Sequence, residues 1–144
     1  MIFFFWETPF QLYYKKLLNS WINSLIKHEK GFLGEINYIY CNDEYLLIMN
    51  NKYLNHDFYT DVITFNYVRE TKISGDIFIS IDRVKENALK LGVSFEKELY
   101  RVMVHGVLHL LSYDDKYHND KFIMQDKENF YLDLLFTKFK NVSL

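Results

Sequence analysis

The chain has 144 residues, a net charge of −2 and a single cysteine. That length suits one domain with a core of its own, expected here over residues 1–144, and a lone Cys41 excludes an internal disulfide and fits a reducing, cytoplasmic setting. The near-neutral balance argues against a general polyanion binder, and the apolar opening MIFFFW is far too short to span a membrane and lacks the flanks of a signal peptide.

Ile2–Phe5 reads as a first strand. From Gln11 to about His28, Tyr14, Leu17, Leu18, Trp21 and Leu25 recur at helical spacing, with Trp21 a core residue. GEINYIYC, Gly34–Cys41, alternates β-forming and polar residues and predicts a strand. NDEYLLIMNNKYL follows as a helix, with Asn42 or Asp43 as its N-cap. TDVITFNY (Thr60–Tyr67) and GDIFISI (Gly75–Ile81) predict two more strands, and the polar residues between them suit a hairpin-type connection or a loop. Thr60, Asp61 and Asp76 read most simply as strand-entry residues bonded to local backbone, with a place lining a functional cleft as the alternative. Asp82 opens a helix to about Leu91, which Gly92 stops. Ser94 caps the next helix, with Glu96 and Glu98 in its positive first turn. A last helix is expected from about His118 to Phe139, with Phe122, Ile123, Tyr131, Leu134 and Leu135 on its apolar face. Strands and helices that do not strictly alternate predict an α+β domain: a small mixed sheet packed with about five helices.

The helix after Ser94 carries VHGVLHLLSYDD, Val104–Asp115. Apolar residues surround His105 and His109, so this helix should be buried nearly all round. Two imidazoles at i and i+4 stack on one face and can share one metal ion. Two core histidines with separate partners are the plainer alternative, but two in register favour the metal. A catalytic zinc takes three protein ligands, and Asp115 is reachable only if the chain turns back after Leu111. Ser112 would then hold a left-handed conformation better suited to glycine, at a cost of about 1 kcal/mol. His118 is the rival third ligand, and an exposed turn is the plain reading of Asp114 and Asp115. Gly106 stands where zinc peptidases carry a general-base glutamate, which disfavours peptide hydrolysis. A glycine inside a helix costs about 1 kcal/mol against alanine, so either something packs closely at Gly106 or a substrate backbone approaches there.

HGVLHLLSYDD resembles the signature H-G-x-L-H-L-x-G-Y-D-H of the YbeY family, bacterial endoribonucleases of ribosomal RNA maturation. HDFYTDVITF resembles the family's K-D-x-P-T-D-V-L-S-F block, and GDIFIS its G-D-I-x-I-S block. Met124 and Glu128 also fall at family positions. The resemblance implies a metal-dependent endoribonuclease that cleaves single-stranded RNA in 3′-end maturation of small-subunit ribosomal RNA. It implies one divalent ion, most simply Zn²⁺, with His105 and His109 as ligands and Asp115 in place of the family's third histidine. The implied partners are ribosomal RNA and the small ribosomal subunit or its assembly factors. Carboxylate ligation would shift selectivity slightly toward harder ions such as Mn²⁺. The family's arginine falls on Leu54, which has no charge to offer a phosphate. That substitution supports an alternative, a metal-binding assembly factor with little turnover. Lys85, Lys90, Lys97 and Arg101 are the basic residues expected to flank the cleft.

Overall fold

Among the described residues, alternating β-branched and aromatic side chains make four strands, and these form one mixed sheet. The structure, a computed structural model, describes residues 1–138. In chain order the elements are β1 (Ile2–Trp6), α1 (Lys15–His28), β2 (Phe32–Cys41), α2 (Asp43–Leu54), β3 (Val62–Asn66), β4 (Lys72–Ser80), α3 (Ile81–Leu91), α4 (Phe95–Leu110) and α5 (His118–Lys138). The strand order is β1-β2-β4-β3. β1 and β4 both run parallel to β2, while β3 pairs antiparallel with β4. The four strands and five helices of the described residues, in a mixed sheet, are the α+β fold expected from the sequence.

The alternation sorts side chains to two faces. Ile36, Tyr38 and Tyr40 of β2 and Ile77 and Ile79 of β4 point into the main core, with Trp21 of α1 and Val104, Val107 and Leu108 of α4. The opposite face carries a smaller cluster of Cys41, Leu46 and Ile63 beneath α2. α4 thus lies across the sheet as the buried middle layer. Its closest approach is at Gly106, where an added Cβ would stand 2.7 Å from Ile77 Cγ2. That contact explains the helical glycine: a strand side chain, not a substrate, fills the space.

Several boundaries differ from the sequence reading. α1 begins at Lys15 rather than Gln11, because Tyr14 sits at φ 63 and breaks the helical path. Ser80, not Asp82, caps α3: its hydroxyl accepts from the Arg83 N–H at 3.2 Å. Thr60 and Asp61 precede β3 instead of opening it. Asn42, Ser94 and Gly92 do serve as expected, the first two as N-caps and Gly92 at φ 67 as the stop of α3. On α5 the buried stripe is Met124, Glu128, Tyr131, Leu132 and Leu135, whereas Phe122 and Ile123 are exposed. So many of its positions are apolar that spacing alone did not select the face; contact with α4 did. The expected helix end at Phe139 lies outside the described residues. No helix among the described residues is long and apolar enough to cross a membrane.

Candidate metal centre

The chain reverses where α4 ends. Leu111 is the C-cap, and Ser112 follows at φ 75, in the left-handed region. The Ser112 N–H donates to His109 O and the Tyr113 N–H to Leu108 O, both at 3.0 Å. This is the paired bonding of a Schellman stop, made here without glycine. Asp114 then closes a tight turn, its Oδ1 accepting from the Asp115 N–H at 2.7 Å and the Lys116 N–H at 3.3 Å. The turn sends the Asp115 carboxylate back over the helix it has just left.

The result is convergence. His105 Nε2 and His109 Nε2 are 2.9 Å apart, and Asp115 Oδ2 lies 3.3 Å from the first and 3.5 Å from the second. Ligand atoms about 2.1 Å from a tetrahedral ion stand about 3.4 Å from one another, so the set is close to that spacing. These three side chains could hold a metal ion. His118 is not among them: it stands at the start of α5 with its ring near Phe122.

The ring tautomers follow from the other nitrogens. His105 Nδ1 lies 2.6 Å from Glu128 Oε2 and must donate to it. His109 Nδ1 lies 3.0 Å from the Tyr113 carbonyl and must also donate. In the neutral rings both Nε2 atoms therefore present lone pairs, toward each other and toward a carboxylate. Two lone pairs and an anion this close are stabilised by something positive among them, a metal ion or a proton. Burial works against charge on His105, but the Glu128 bond and charge, with Asp115 and Asp61, outweigh it and raise its pKa. Burial and the neighbouring His105 lower that of His109.

Behind the histidines lies an ionic layer that the sequence reading did not anticipate. Glu128 is 4% exposed and Glu98 1%. Arg101 joins them, with Nε 2.7 Å from Glu98 Oε1 and Nη1 3.0 Å from Glu128 Oε1. Burial opposes the Arg101 charge, but the two carboxylates hold it firmly. Glu128 is legible in hindsight as the one charged position in the buried stripe of α5. A second network fastens the reversing loop. Glu29, just after α1, accepts from Tyr113 Oη at 2.5 Å, from Lys127 Nζ at 3.1 Å and from Tyr131 Oη.

A cleft of about 300 Å³ opens over His105, His109 and Asp115 and is lined further by Asn50, Leu54, His56, Phe58 and residues 60–64. Thr60 and Asp61 thus border the cleft as well as leading into β3. Burial raises the Asp61 pKa, against the pull of Arg101 and His105. Asp76 takes no part: it is bonded to Asn37 and Tyr67 on the sheet. Of the basic residues expected at the cleft, Lys85, Lys90 and Lys97 line no part of it, and Arg101 borders only an adjoining hollow with Lys121 and Gln125. The three lysines sit on the solvated faces of α3 and α4, and Arg101 is pinned by its ion pairs.

The chain is similar to known proteins over most of its length. The family described as Endoribonuclease YbeY matches residues 6–135. A relative from Karelsulcia muelleri, named Endoribonuclease YbeY, is 47% identical over 96% of this chain and 99% of its own length. One of the same name from Flavobacterium psychrophilum is 49% identical over 96% of this chain and 99% of its own. A solution structure of a Thermotoga maritima protein superposes with a TM-score of 0.69 at 28% identity, covering 97% of this chain and 92% of that one.

Proposed function

Since the chain belongs to the YbeY family, we propose that it is a metal-dependent endoribonuclease cutting single-stranded RNA. Its place is in the cytoplasm, in 3′-end maturation of small-subunit ribosomal RNA, with that subunit or its assembly factors as partners. The observation that carries this reading is the convergence of His105 Nε2, His109 Nε2 and the Asp115 carboxylate at the floor of an open cleft.

His105 Nε2, His109 Nε2 and Asp115 Oδ2 would hold one divalent ion, most simply Zn²⁺. Such an ion supplies Lewis-acid polarisation of a phosphoryl oxygen and makes a nearby water more acidic. The chain's own part is orientation. Glu128 holds the His105 ring, the Tyr113 carbonyl holds that of His109, and the Asp114 turn aims Asp115. Such outer partners set ligand tautomer and basicity. The Leu54 side chain and the stacked His56–Phe58 pair form part of the cleft rim, suiting an extended single strand better than a duplex.

The test is cleavage of a single-stranded RNA by purified protein, with and without chelator. Activity is expected to fall at least about a hundredfold in the His105→Ala, His109→Ala double variant and on metal removal. Unchanged cleavage in that variant would overturn the mechanism. One observation favours a second reading, an assembly factor with a metal but little turnover: among the described residues, no lysine or arginine lines the cleft. That reading expects metal binding and association with precursor ribosomal particles without RNA cleavage, and clear turnover on cognate RNA excludes it.

A further inference from the structure

With a divalent ion on His105, His109 and Asp115 the cleft would hold one strong positive centre, but a strand running beyond it meets the Asp61 carboxylate and no lysine or arginine among the described lining residues. Arg101, whose Nη2 lies 4.0 Å from Asp61 Oδ2, cannot swing further in without leaving Glu98 and Glu128. Apart from His105 and His109, one further imidazole stands among the described lining residues, that of His56.

Local structure presents this ring. Asn55 takes φ 58 and ends α2 at Leu54. The His56 N–H then donates to Asn50 O at 3.2 Å. Asn50 is 1% exposed, and its Nδ2 donates to Phe58 O at 3.0 Å. The segment from Asn55 to Phe58 is thereby folded back onto the end of α2. Within it the His56 ring stacks on Phe58, with centroids 5.1 Å apart and planes 21° apart. Among the described residues neither His56 ring nitrogen has a hydrogen-bond or ion-pair partner. The ring is oriented by stacking, and its polar edge is left for a ligand.

We infer that His56 is the phosphate-contacting side chain of this cleft, its ring N–H donating to a non-bridging oxygen of an RNA phosphodiester. It makes and breaks no covalent bond. The inference rests on the nuclease reading for the identity of the ligand. Phe58 is the positioning residue against which the ring stacks.

The experiment is binding of a fluorescently labelled single-stranded oligoribonucleotide, followed by anisotropy at pH 6 over a range of salt, for the zinc-loaded wild type, His56→Ala and His56→Lys. A parallel series uses chelated protein. Loss of one charge-assisted hydrogen bond in His56→Ala is expected to weaken binding about tenfold. The slope of log affinity against log salt should become shallower by about 0.7, the value for one phosphate contact on a single strand. His56→Lys is expected to restore both. Zinc content and melting temperature should be the same in all three proteins, and KM should rise more than kcat falls. Binding of His56→Ala within twofold of wild type, or a loss that lysine does not rescue, would overturn the inference. If wild type binds RNA through His56 but never cleaves it, the nuclease reading fails and the phosphate contact stands. If wild type cleaves and His56→Ala cleaves and binds equally well, the nuclease reading stands and the contact fails.

Discussion

His105 and His109 are held less by the helix that carries them than by what each touches with its Nδ1. The Glu128 carboxylate fixes the ring whose charge it also favours, and the Tyr113 carbonyl does the same for its neighbour without adding charge. Losing such an outer partner typically costs 10–100-fold in metal affinity. Glu128→Gln is therefore expected to weaken zinc binding about tenfold and Glu128→Ala nearer a hundredfold, measured by competition with a chromophoric chelator. Asp115→Ala, which removes a donor outright, should weaken it at least as much. An Asp115→Ala protein that binds zinc like wild type would remove this carboxylate from the ligand set. At the same scale, the histidine pair is readable from spacing alone, while Glu128 is marked in the sequence only by the family resemblance. Nothing local marks a glutamate for burial; its partners stand on another helix.

Two contacts decide how well α4 and its reversing loop are seated. The first is Gly106 against Ile77. Alanine there gains about 1 kcal/mol of helix propensity but meets Ile77 Cγ2 at 2.7 Å in a packed interior, where overpacking costs about 1–3 kcal/mol. Gly106→Ala is expected to lose about 1 kcal/mol net in urea unfolding at unchanged m-value; a gain in stability would mean that Ile77 yields freely. The second is Glu29. Burial opposes its charge, but bonds from Tyr113, Tyr131 and Lys127 outweigh this and hold its pKa below the usual carboxylate range. A carboxylate depressed in the folded state adds stability above its unfolded pKa of about 4.3, and this is lost as pH falls through the lower folded value. Glu29→Gln should thus cost about 1–2 kcal/mol at neutral pH, toward the lower end because the group keeps some solvent contact. The difference from wild type should shrink as unfolding is repeated toward about pH 3. A gap that is independent of pH would show that packing, not charge, sets the cost.

For the whole molecule, the site couples three distant parts of the chain: the end of α4, the middle of α5 and, through Glu29, the end of α1. An ion that binds only this assembled arrangement stabilises the folded state by mass action. At free zinc about a hundredfold above its dissociation constant, the gain is about 2.7 kcal/mol, or on the order of 5–10 °C in melting temperature for a domain of this size. Differential scanning fluorimetry with added zinc and then excess chelator should show the rise and its reversal. A melting curve indifferent to zinc would mean that no ion is held by the folded protein. The sheet serves this assembly by placing β3 at an edge, so that residues leading into it can wall the cleft while α4 stays buried.

By itself the sequence determined what depends on near neighbours. Asn42, Ser94 and Gly92 mark helix ends because each acts on backbone within a few residues. His105 and His109 meet because i and i+4 on any helix must meet. The left-handed Ser112 was foreseeable once Asp115 was required to return. Only the tertiary structure decided the rest: the strand order, the face α5 buries, Glu128 behind His105, Glu29 behind the reversing loop, and His56 at the rim of the cleft. Each of these joins residues whose proximity arises when separate elements pack, and a linear pattern carries no record of which elements will touch.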